Sequence, residues 1–318
     1  PSRPMIYGES VQSIVTAIQI WFEPLIIGLD PFAVEKLWSK LQTVEHNPTA
    51  KAAIDMAIHD IIGQAAGVPC YKLLGGWGNE IDLSYILGLN EPEAVAEQAV
   101  QVIDDYGFKT LKLKAGLEPK RDTAMLKSVR EAVGPDIRLC IDVNHGYDSI
   151  TAAQTLPQWE PYNVAWVEEP CPGWDRRGRK IVAKATSIPI MADESCITPQ
   201  EVMDEIWRGD CRLMSIKNAR TGYYLSTKII HLCEEAGVAP LGGSQGDTDI
   251  GTITSAHFCA AHRSMARWPS EVSFFLEISD HLLTERPEIK DGKIKVTDRP
   301  GMGVQIDEGK LKHYRMDL

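Results

Sequence analysis

Lys109-Thr110-Leu111-Lys112-Leu113-Lys114 alternates polar and apolar residues, the period of a strand with two unlike faces. Leu111 and Leu113 share one face, and Lys112 and Lys114 share the other. The spacing predicts a half-exposed strand. Taken alone, it reads as an edge strand with a basic exterior, which is common. The alternative reading is chemical. Two adjacent ammonium groups repel, and the repulsion pushes a lysine pKa down toward the range where it accepts a proton near neutral pH. The acidic and basic residues that end the later strands favour the chemical reading.

Outward from this strand, apolar runs alternate with amphipathic helices from Ile81 onward. Strands are predicted at 82–88, 109–114, 137–142, 164–168, 188–192, 212–217, 237–241 and 271–276. Helices are predicted near 91–106, 119–133, 149–159, 174–186, 198–208, 222–236 and 251–263. Pro92 and Pro199 suit first helical turns, and Gly107, Gly134 and Gly237 suit helix ends. Eight strand–helix alternations imply an α/β protein with a closed parallel barrel over 81–280. A doubly wound open sheet is the alternative, but no glycine-rich phosphate loop follows the first strand. Before the barrel, residues 1–8 read as a loop and 10–27, 32–42 and 48–66 as helices, a helical region of about 1–80. The tail, 281–318, shows short strands and turns and is expected to pack back onto those helices.

The composition narrows the function classes. The 318 residues are 44% hydrophobic, and a formal net charge of −11 argues against nucleic acid as a partner. Seven cysteines, odd in number and without a C-x-x-C pair, read as reduced buried thiols of a cytoplasmic compartment. No run is long and apolar enough to span a membrane, and no signal peptide is visible. The chain opens at Pro1 without a methionine, so the natural N-terminus, with any targeting signal, is expected upstream.

The predicted strands end in charged residues. Lys112 and Lys114 end the second. Asp142 ends the third, with Asn144 close behind; Glu168-Glu169 end the fourth, Asp193-Glu194 the fifth, Lys217 the sixth and Glu277 the eighth. In a parallel barrel these carboxyl ends converge on the face where active sites sit. Asp142, Glu168 and Asp193 would meet there, and three ionised carboxylates need a counter-charge. An all-oxygen set suits Mg²⁺ or Mn²⁺. Lys114 and Lys217 come from strands on either side of that trio. A metal between two amines suits moving a proton on or off a carbon next to a carboxylate, through a metal-stabilised enediolate. Any one of these acids alone is more often a helix cap than a ligand. Their succession in barrel order makes the functional reading the stronger.

With those residues in hand, the chain resembles the muconate lactonizing enzyme subgroup of the enolase superfamily. The matching motifs are Lys112-Leu113-Lys114, Asp142-Val143-Asn144, Val167-Glu168-Glu169-Pro170, Ala192-Asp193-Glu194-Ser195 and Ser215-Ile216-Lys217. Further matches are Asn47-Pro48-Thr49-Ala50-Lys51-Ala52-Ala53-Ile54-Asp55, Leu74-Gly75-Gly76, Leu282-Leu283-Thr284 and Pro300-Gly301-Met302-Gly303. The resemblance implies a modified TIM (β/α) barrel under an α+β capping domain. Residues 1–80 and 281–318 would belong to the cap, whose opening strand segment is absent here. It implies one Mg²⁺ (or Mn²⁺) held by Asp142, Glu168 and Asp193, with Lys114 and Lys217 as the acid/base pair and Lys112 supporting Lys114. Homo-oligomers, often octamers, are typical, and residues 1–8 resemble the mobile specificity loop.

Arg3-Pro4, Tyr7-Gly8-Glu9, Ala219-Arg220-Thr221-Gly222, Phe275-Leu276 and Ser279-Asp280 resemble muconate cycloisomerases in particular. In that reaction one carboxylate of a small dicarboxylate adds across a double bond and a lysine protonates the neighbouring carbon. Arg3 and Lys51 are the candidate contacts for the distal carboxylate. Tyr7, Asn144, Glu194 and Glu277 complete the expected substrate-binding set. The alternative is an epimerase or racemase of a dipeptide or N-acylamino acid, although the eighth strand lacks the D-x-D typical of dipeptide epimerases. A third option is a syn-eliminating dehydratase; His257 and His262, within a predicted helix, read as structural rather than as its base. A non-catalytic scaffold is disfavoured because every expected ligand and both lysines are present.

Overall fold

Seven parallel strands lie in chain order in one sheet: β1 (Tyr85–Leu87), β2 (Thr110–Lys114), β3 (Arg138–Asp142), β4 (Val164–Glu168), β5 (Ile190–Ala192), β6 (Leu213–Ile216) and β7 (Ala239–Gly242). Each is followed by a helix: α1 (Pro92–Tyr106), α2 (Pro119–Val133), α3 (Ser149–Trp159), α4 (Arg176–Ala185), α5 (Pro199–Arg208), α6 (Asn218–Ala236) and α7 (Asp249–Ala261). The computed structural model describes residues 3–315. Pro1 and Ser2 of the expected loop, and Met316–Leu318 of the tail, lie outside the described residues.

The eighth strand expected at 271–276 does not form. Phe274–Glu277 is a 3₁₀ turn, and one parallel bridge joins Leu83 to Ser270. Closure rests on three backbone bonds. Ser84 N–H donates to Ser270 O (2.9 Å), Ser270 N–H to Asp82 O (2.9 Å) and Glu271 N–H to Gly242 O (2.7 Å). The barrel is therefore modified: seven strands and a short eighth stave.

The alternation in β2 also has a different cause from the one its sequence suggests. The strand is buried along Thr110–Leu113 rather than half-exposed. Leu111 and Leu113 belong to the main apolar core between sheet and helices. Lys112 belongs to a polar barrel interior. Beneath that charged layer lies an apolar floor of Cys140, Trp166, Met191, Leu213 and Leu241, with Trp268 packed against it. Charges above such a floor interact through a medium far less polarisable than water.

The N-terminal region is helical, as its periodicity suggests, with one interruption. Val11–Thr16 and Glu23–Ile26 are α-helical, but Ala17–Phe22 between them winds as a π-helix. Pro24 has no N–H to continue the ladder, and the wider turn precedes it. Val34–Leu41 and the long Pro48–Ala66 helix complete a second core of Phe22, Leu37, Trp38, Leu41, Ala50, Ile54 and Ile58. Residues 3–8, expected as a loop, contain one helical turn, Pro4–Tyr7.

The tail returns to this region. Lys293–Lys295 pairs antiparallel with Glu80–Asp82 on one side and Ile289–Lys290 on the other. Met302 N–H donates to Asp60 Oδ1 at 2.7 Å, and Cys70 N–H to Gly301 O at 2.8 Å. A short helix, Glu308–Tyr314, follows where none was predicted. The long helix is clipped to the barrel by buried Asp55, which accepts from Trp38 Nε1 (2.6 Å) and from the backbone N–H groups of Tyr223 and Tyr224. Gly222 makes room for it: its φ is +60°, and a Cβ there would stand 2.6 Å from Asp55 Oδ2. All seven cysteines are free and buried. Among the described residues no helix is long and apolar enough to cross a membrane.

Candidate active site

Parallel pairing sets the charged ends level. Lys114 lies opposite Asp142, and Asp142 opposite Glu168. Asp193 and Glu194 follow β5 directly, and Lys217 follows β6. Lys112 Nζ, 2% exposed as a residue, stands 2.6 Å from Glu168 Oε2, 2.8 Å from Glu271 Oε2 and 3.1 Å from Asp142 Oδ2. Lys114 Nζ donates to Asp142 Oδ2 and to Asn144 Oδ1, both at 2.7 Å. Lys217 Nζ donates to Asp193 Oδ2, and Arg220 Nη1 stands 2.8 Å from Asp193 Oδ1. Asn144 Nδ2 donates to Glu194 Oε1 at 3.0 Å.

The two lysines of β2 are thus not bare neighbours, because Asp142 stands between their ammonium groups. Burial works to lower the Lys112 pKa, but Asp142, Glu168 and Glu271 outweigh it and hold it well above the ordinary value. That reverses the depression expected from like-charge repulsion. Burial likewise opposes ionisation of Asp142, yet Lys112 and Lys114 keep it down at about 2. Asp193 is held below the usual carboxylate range by Lys217 and Arg220 against its burial. Glu168 is pushed well above the ordinary value by burial and the Asp142 charge, and Glu194 to about 7 by burial and the Asp193 charge.

The loops that carry these groups are strained. Asn144 (φ +45°), His145 (φ +62°) and Glu169 (φ +40°) all have left-handed backbones. Glu169 is clamped by Arg179 Nη1 (2.7 Å), Asp193 N–H (2.5 Å), Ser195 N–H (2.9 Å) and Ser195 Oγ (2.6 Å). Arg179 in turn reaches Glu205 Oε1 at 2.8 Å. A buried ion chain running back to α4 and α5 therefore fixes the turn that presents Asp193.

Of the expected ligand trio, the structure brings Glu168 and Asp193 together with Glu194, one oxygen of each within 4.8 Å of the others. Asp142 joins them through the shared Lys112 ammonium instead. Glu168 Oε1, Glu194 Oε2 and Glu271 Oε1 are buried with no hydrogen-bond partner among the described residues, an expensive state for carboxylate oxygens. Five carboxylates (Asp142, Glu168, Asp193, Glu194, Glu271) meet four cations (Lys112, Lys114, Lys217, Arg220). With all five carboxylates ionised, a dication and one substrate carboxylate together would bring the site to neutrality. Hard, unpartnered oxygens with that charge balance fit Mg²⁺ or Mn²⁺.

The remaining expected residues divide. Arg3 Nη2 donates to Gln245 O, and the Tyr7 hydroxyl accepts from Gln245 Nε2 (2.8 Å) and Arg220 Nη1 (3.3 Å), so both lie over the barrel mouth. Lys51 Nζ donates to Val44 O at 2.5 Å and lines a cavity of about 560 Å³ that Tyr7 and Arg220 also line. Glu277 does not end a strand. It sits in the 3₁₀ turn and accepts from the Tyr85 hydroxyl, and the acid on the eighth stave that meets Lys112 is Glu271. Sequence reasoning missed Glu271, Arg220 and Gln245. Arg220, three residues after Lys217, falls within a stretch that carries the resemblance but has no charge pattern of its own.

The family model described as "Enolase C-terminal domain-like" matches residues 94–310, and the mandelate racemase/muconate lactonizing enzyme N-terminal domain matches residues 2–75. The chain belongs to the muconate lactonizing enzyme subgroup of the enolase superfamily. Within it, the chain is 36% identical over 275 residues to a hydrophobic dipeptide epimerase of Enterococcus faecalis, covering 86% of this chain and 77% of that protein. It is 29% identical to muconate cycloisomerase 1 of Rhodococcus opacus, covering 99% of this chain and 85% of the other. A crystal structure of a muconate lactonizing enzyme from Mycobacterium smegmatis superposes with a TM-score of 0.97 at 36% identity, covering 100% of this chain and 90% of that one. These relatives make the chain an enzyme of the isomerase and epimerase type.

Proposed function

We propose that the protein is a divalent-metal-dependent muconate cycloisomerase, acting on a small unsaturated dicarboxylate. The observation that carries this is the row of carboxylates at the ends of β3, β4 and β5 with an amine at each flank, Lys114 on β2 and Lys217 after β6. Asp142, Glu168 and Asp193, with Glu194 beside them, would hold the Mg²⁺ or Mn²⁺. When bound, the ion supplies positive charge that makes electron density on a substrate carboxylate less costly. The chain's own part is proton work and closure. One substrate carboxylate oxygen forms a C–O bond to the far alkene carbon. The displaced π electrons build up on the carbon beside the other carboxylate, and a lysine ammonium delivers its proton there. Lys112, gripped by three carboxylates, holds Asp142 and Glu168 in place and stays protonated. Arg3 and Tyr7 cover the mouth and exclude water, and the cytoplasm is the compartment this chemistry and the buried thiols suit.

The second reading, a dipeptide epimerase, is favoured by the Enterococcus relative and by the two-sided lysines, which suit removal and return of one proton. A substrate ammonium group, however, would need a carboxylate to receive it on the eighth stave. Glu277 and Asp280 are already engaged by Tyr85 and Lys310, and Glu271 is held through Oε2 by Lys112. The dehydratase reading loses its base as well. His257 lies on α7, buried between Tyr71 N–H (3.2 Å) and Met302 O (3.1 Å).

Incubation with Mg²⁺ and cis,cis-muconate, followed by loss of diene absorbance, tests the proposal. Steady loss with formation of muconolactone is expected. An unchanged diene, with solvent deuterium entering a dipeptide under the same conditions, would replace it by the epimerase reading.

A further inference from the structure

The turn at residues 3–8 has little of its own to hold it. Among the described residues its three backbone bonds are internal: Ile6 and Tyr7 N–H donate to Arg3 O, and Gly8 N–H to Pro4 O. None of Pro4–Tyr7 is buried, and Met5 is 97% exposed. Beyond Gly8, whose φ is +72°, the chain is anchored again, because buried Glu9 accepts from Thr49 N–H at 3.0 Å. Segments with few buried contacts and exposed backbone bonds open at low cost. What seats the turn on the barrel is polar. Arg3 donates to Gln245 O, and it lies so close over that loop that a Cβ on Gly246 would stand 2.6 Å from Arg3 Nη2. Tyr7 meets Gln245 and Arg220.

Arg220 is the unusual member. It is 3% exposed, and its guanidinium faces two ways. Nη1 meets the Tyr7 hydroxyl at 3.3 Å and Asp193 Oδ1 at 2.8 Å, while Nη2 donates to the backbone oxygens of Asp193 (3.2 Å) and Ser215 (3.1 Å). Asp193 is thus fixed from one side by Lys217 and from the other by the group that seats the turn. A planar guanidinium presents its N–H groups to these partners in fixed directions, whereas an ammonium on a flexible stem does not set their mutual geometry.

We infer that Arg220 is a positioning residue that couples seating of the 3–8 turn to the setting of Asp193. The inference rests on the proposed role of Asp193 as a metal ligand. Coupling of this kind is reciprocal: if the seated turn sets Asp193 for the cation, the cation must favour the seated turn by the same factor.

Two measurements on the full chain test it: Mg²⁺ affinity by calorimetry, and hydrogen-exchange protection of the Ile6, Tyr7 and Gly8 amides with and without Mg²⁺. Tyr7→Phe, which removes one hydroxyl from an otherwise intact turn, should weaken Mg²⁺ binding about fivefold. Arg220→Lys should do the same or more, and the double variant should be no weaker than Arg220→Lys alone. Mg²⁺ should raise protection of the three amides in the wild type and leave it unchanged in Arg220→Lys. Wild-type Mg²⁺ affinity in Tyr7→Phe, or effects that add independently in the double variant, overturns the coupling while the metal site stands. Absence of Mg²⁺ binding by the wild type removes the metal site and the inference together. Should Arg220→Lys fail to fold, the Tyr7→Phe affinity and the wild-type exchange response decide alone.

Discussion

Lys217 is buried against Asp193 and Lys114 is partly open beside Asp142 and Asn144, so the two amines meet the site from unlike surroundings. Removing a positioned proton donor or acceptor costs about 10²–10⁴ in rate. Lys217→Ala should therefore lose turnover by that factor, while calorimetry still shows Mg²⁺ binding through the carboxylates. Turnover within a few-fold of wild type would remove Lys217 from the proton path. Arg179 makes a different kind of claim, since it touches no expected ligand. It bridges Glu169 and Glu205, and Arg179→Met would leave two buried carboxylates without it. A loss of about 3–5 kcal/mol is the scale for breaking such a pair, read as a lower urea midpoint with unchanged slope; a midpoint shift near zero would show that Arg208 alone satisfies Glu205. Lys112, Lys114, Asp142, Glu168, Asp193 and Lys217 were legible as strand-end charges because barrel topology sends every carboxyl end to one face. Arg179, Glu205, Glu271 and Arg220 were not. Apart from Arg208 beside Glu205, their charged partners lie ten or more residues off in sequence, and a lone charge in a helix or an irregular stave reads as surface.

At the scale of elements, periodicity found the seven barrel helices and the seven strands but not the short Glu308–Tyr314 helix, and failed where one alternation can arise from two environments. In β2 the polar face meets a charged barrel interior rather than water, which sequence period alone cannot distinguish. The eighth stave read as a strand because Ser273-Phe274-Phe275-Leu276 is apolar and aromatic, yet its bonding is spent at Ser270 and Glu271 and the chain then tightens into a 3₁₀ turn. Helix α7 carries a testable electrostatic load. His257 accepts from Tyr71 N–H and faces Met302 O, a pattern only the neutral ring satisfies, and burial pulls its pKa down to about 4. His262 is drawn to about 4 by burial as well. The unfolded chain, with histidine near 6.5, takes up protons first as pH falls. Stability is therefore fully present above about pH 6.5 and is lost as pH falls toward 4, on the order of 3 kcal/mol for His257. Urea midpoints measured across that window should fall, and His257→Gln should flatten its share of the slope. An unchanged slope in that variant would assign the loss to other groups.

For the whole molecule, the formal net charge of −11 meets a small interior in which carboxylates and cations are nearly matched. Two modes of Mg²⁺ binding must then be separated. Diffuse attraction to an acidic surface is screened within about 8–10 Å at physiological ionic strength, so it weakens as NaCl is added. Binding at the buried cluster is screened much less. A ligand that binds only the folded state stabilises it by about 2.7 kcal/mol at a hundredfold excess over its dissociation constant. Chelator-treated protein should therefore melt lower than the same protein with saturating Mg²⁺, and the difference should persist at high NaCl. Glu168→Gln removes one charge from the cluster and should abolish the Mg²⁺ increment, whereas Glu97→Gln, on the exposed side of α1, should leave it intact. Equal increments in both variants, or an increment that vanishes with salt, would place the cation on the surface and not among the strand-end carboxylates. The melting experiment thus tests, without any substrate, the charge balance on which the proposed chemistry depends.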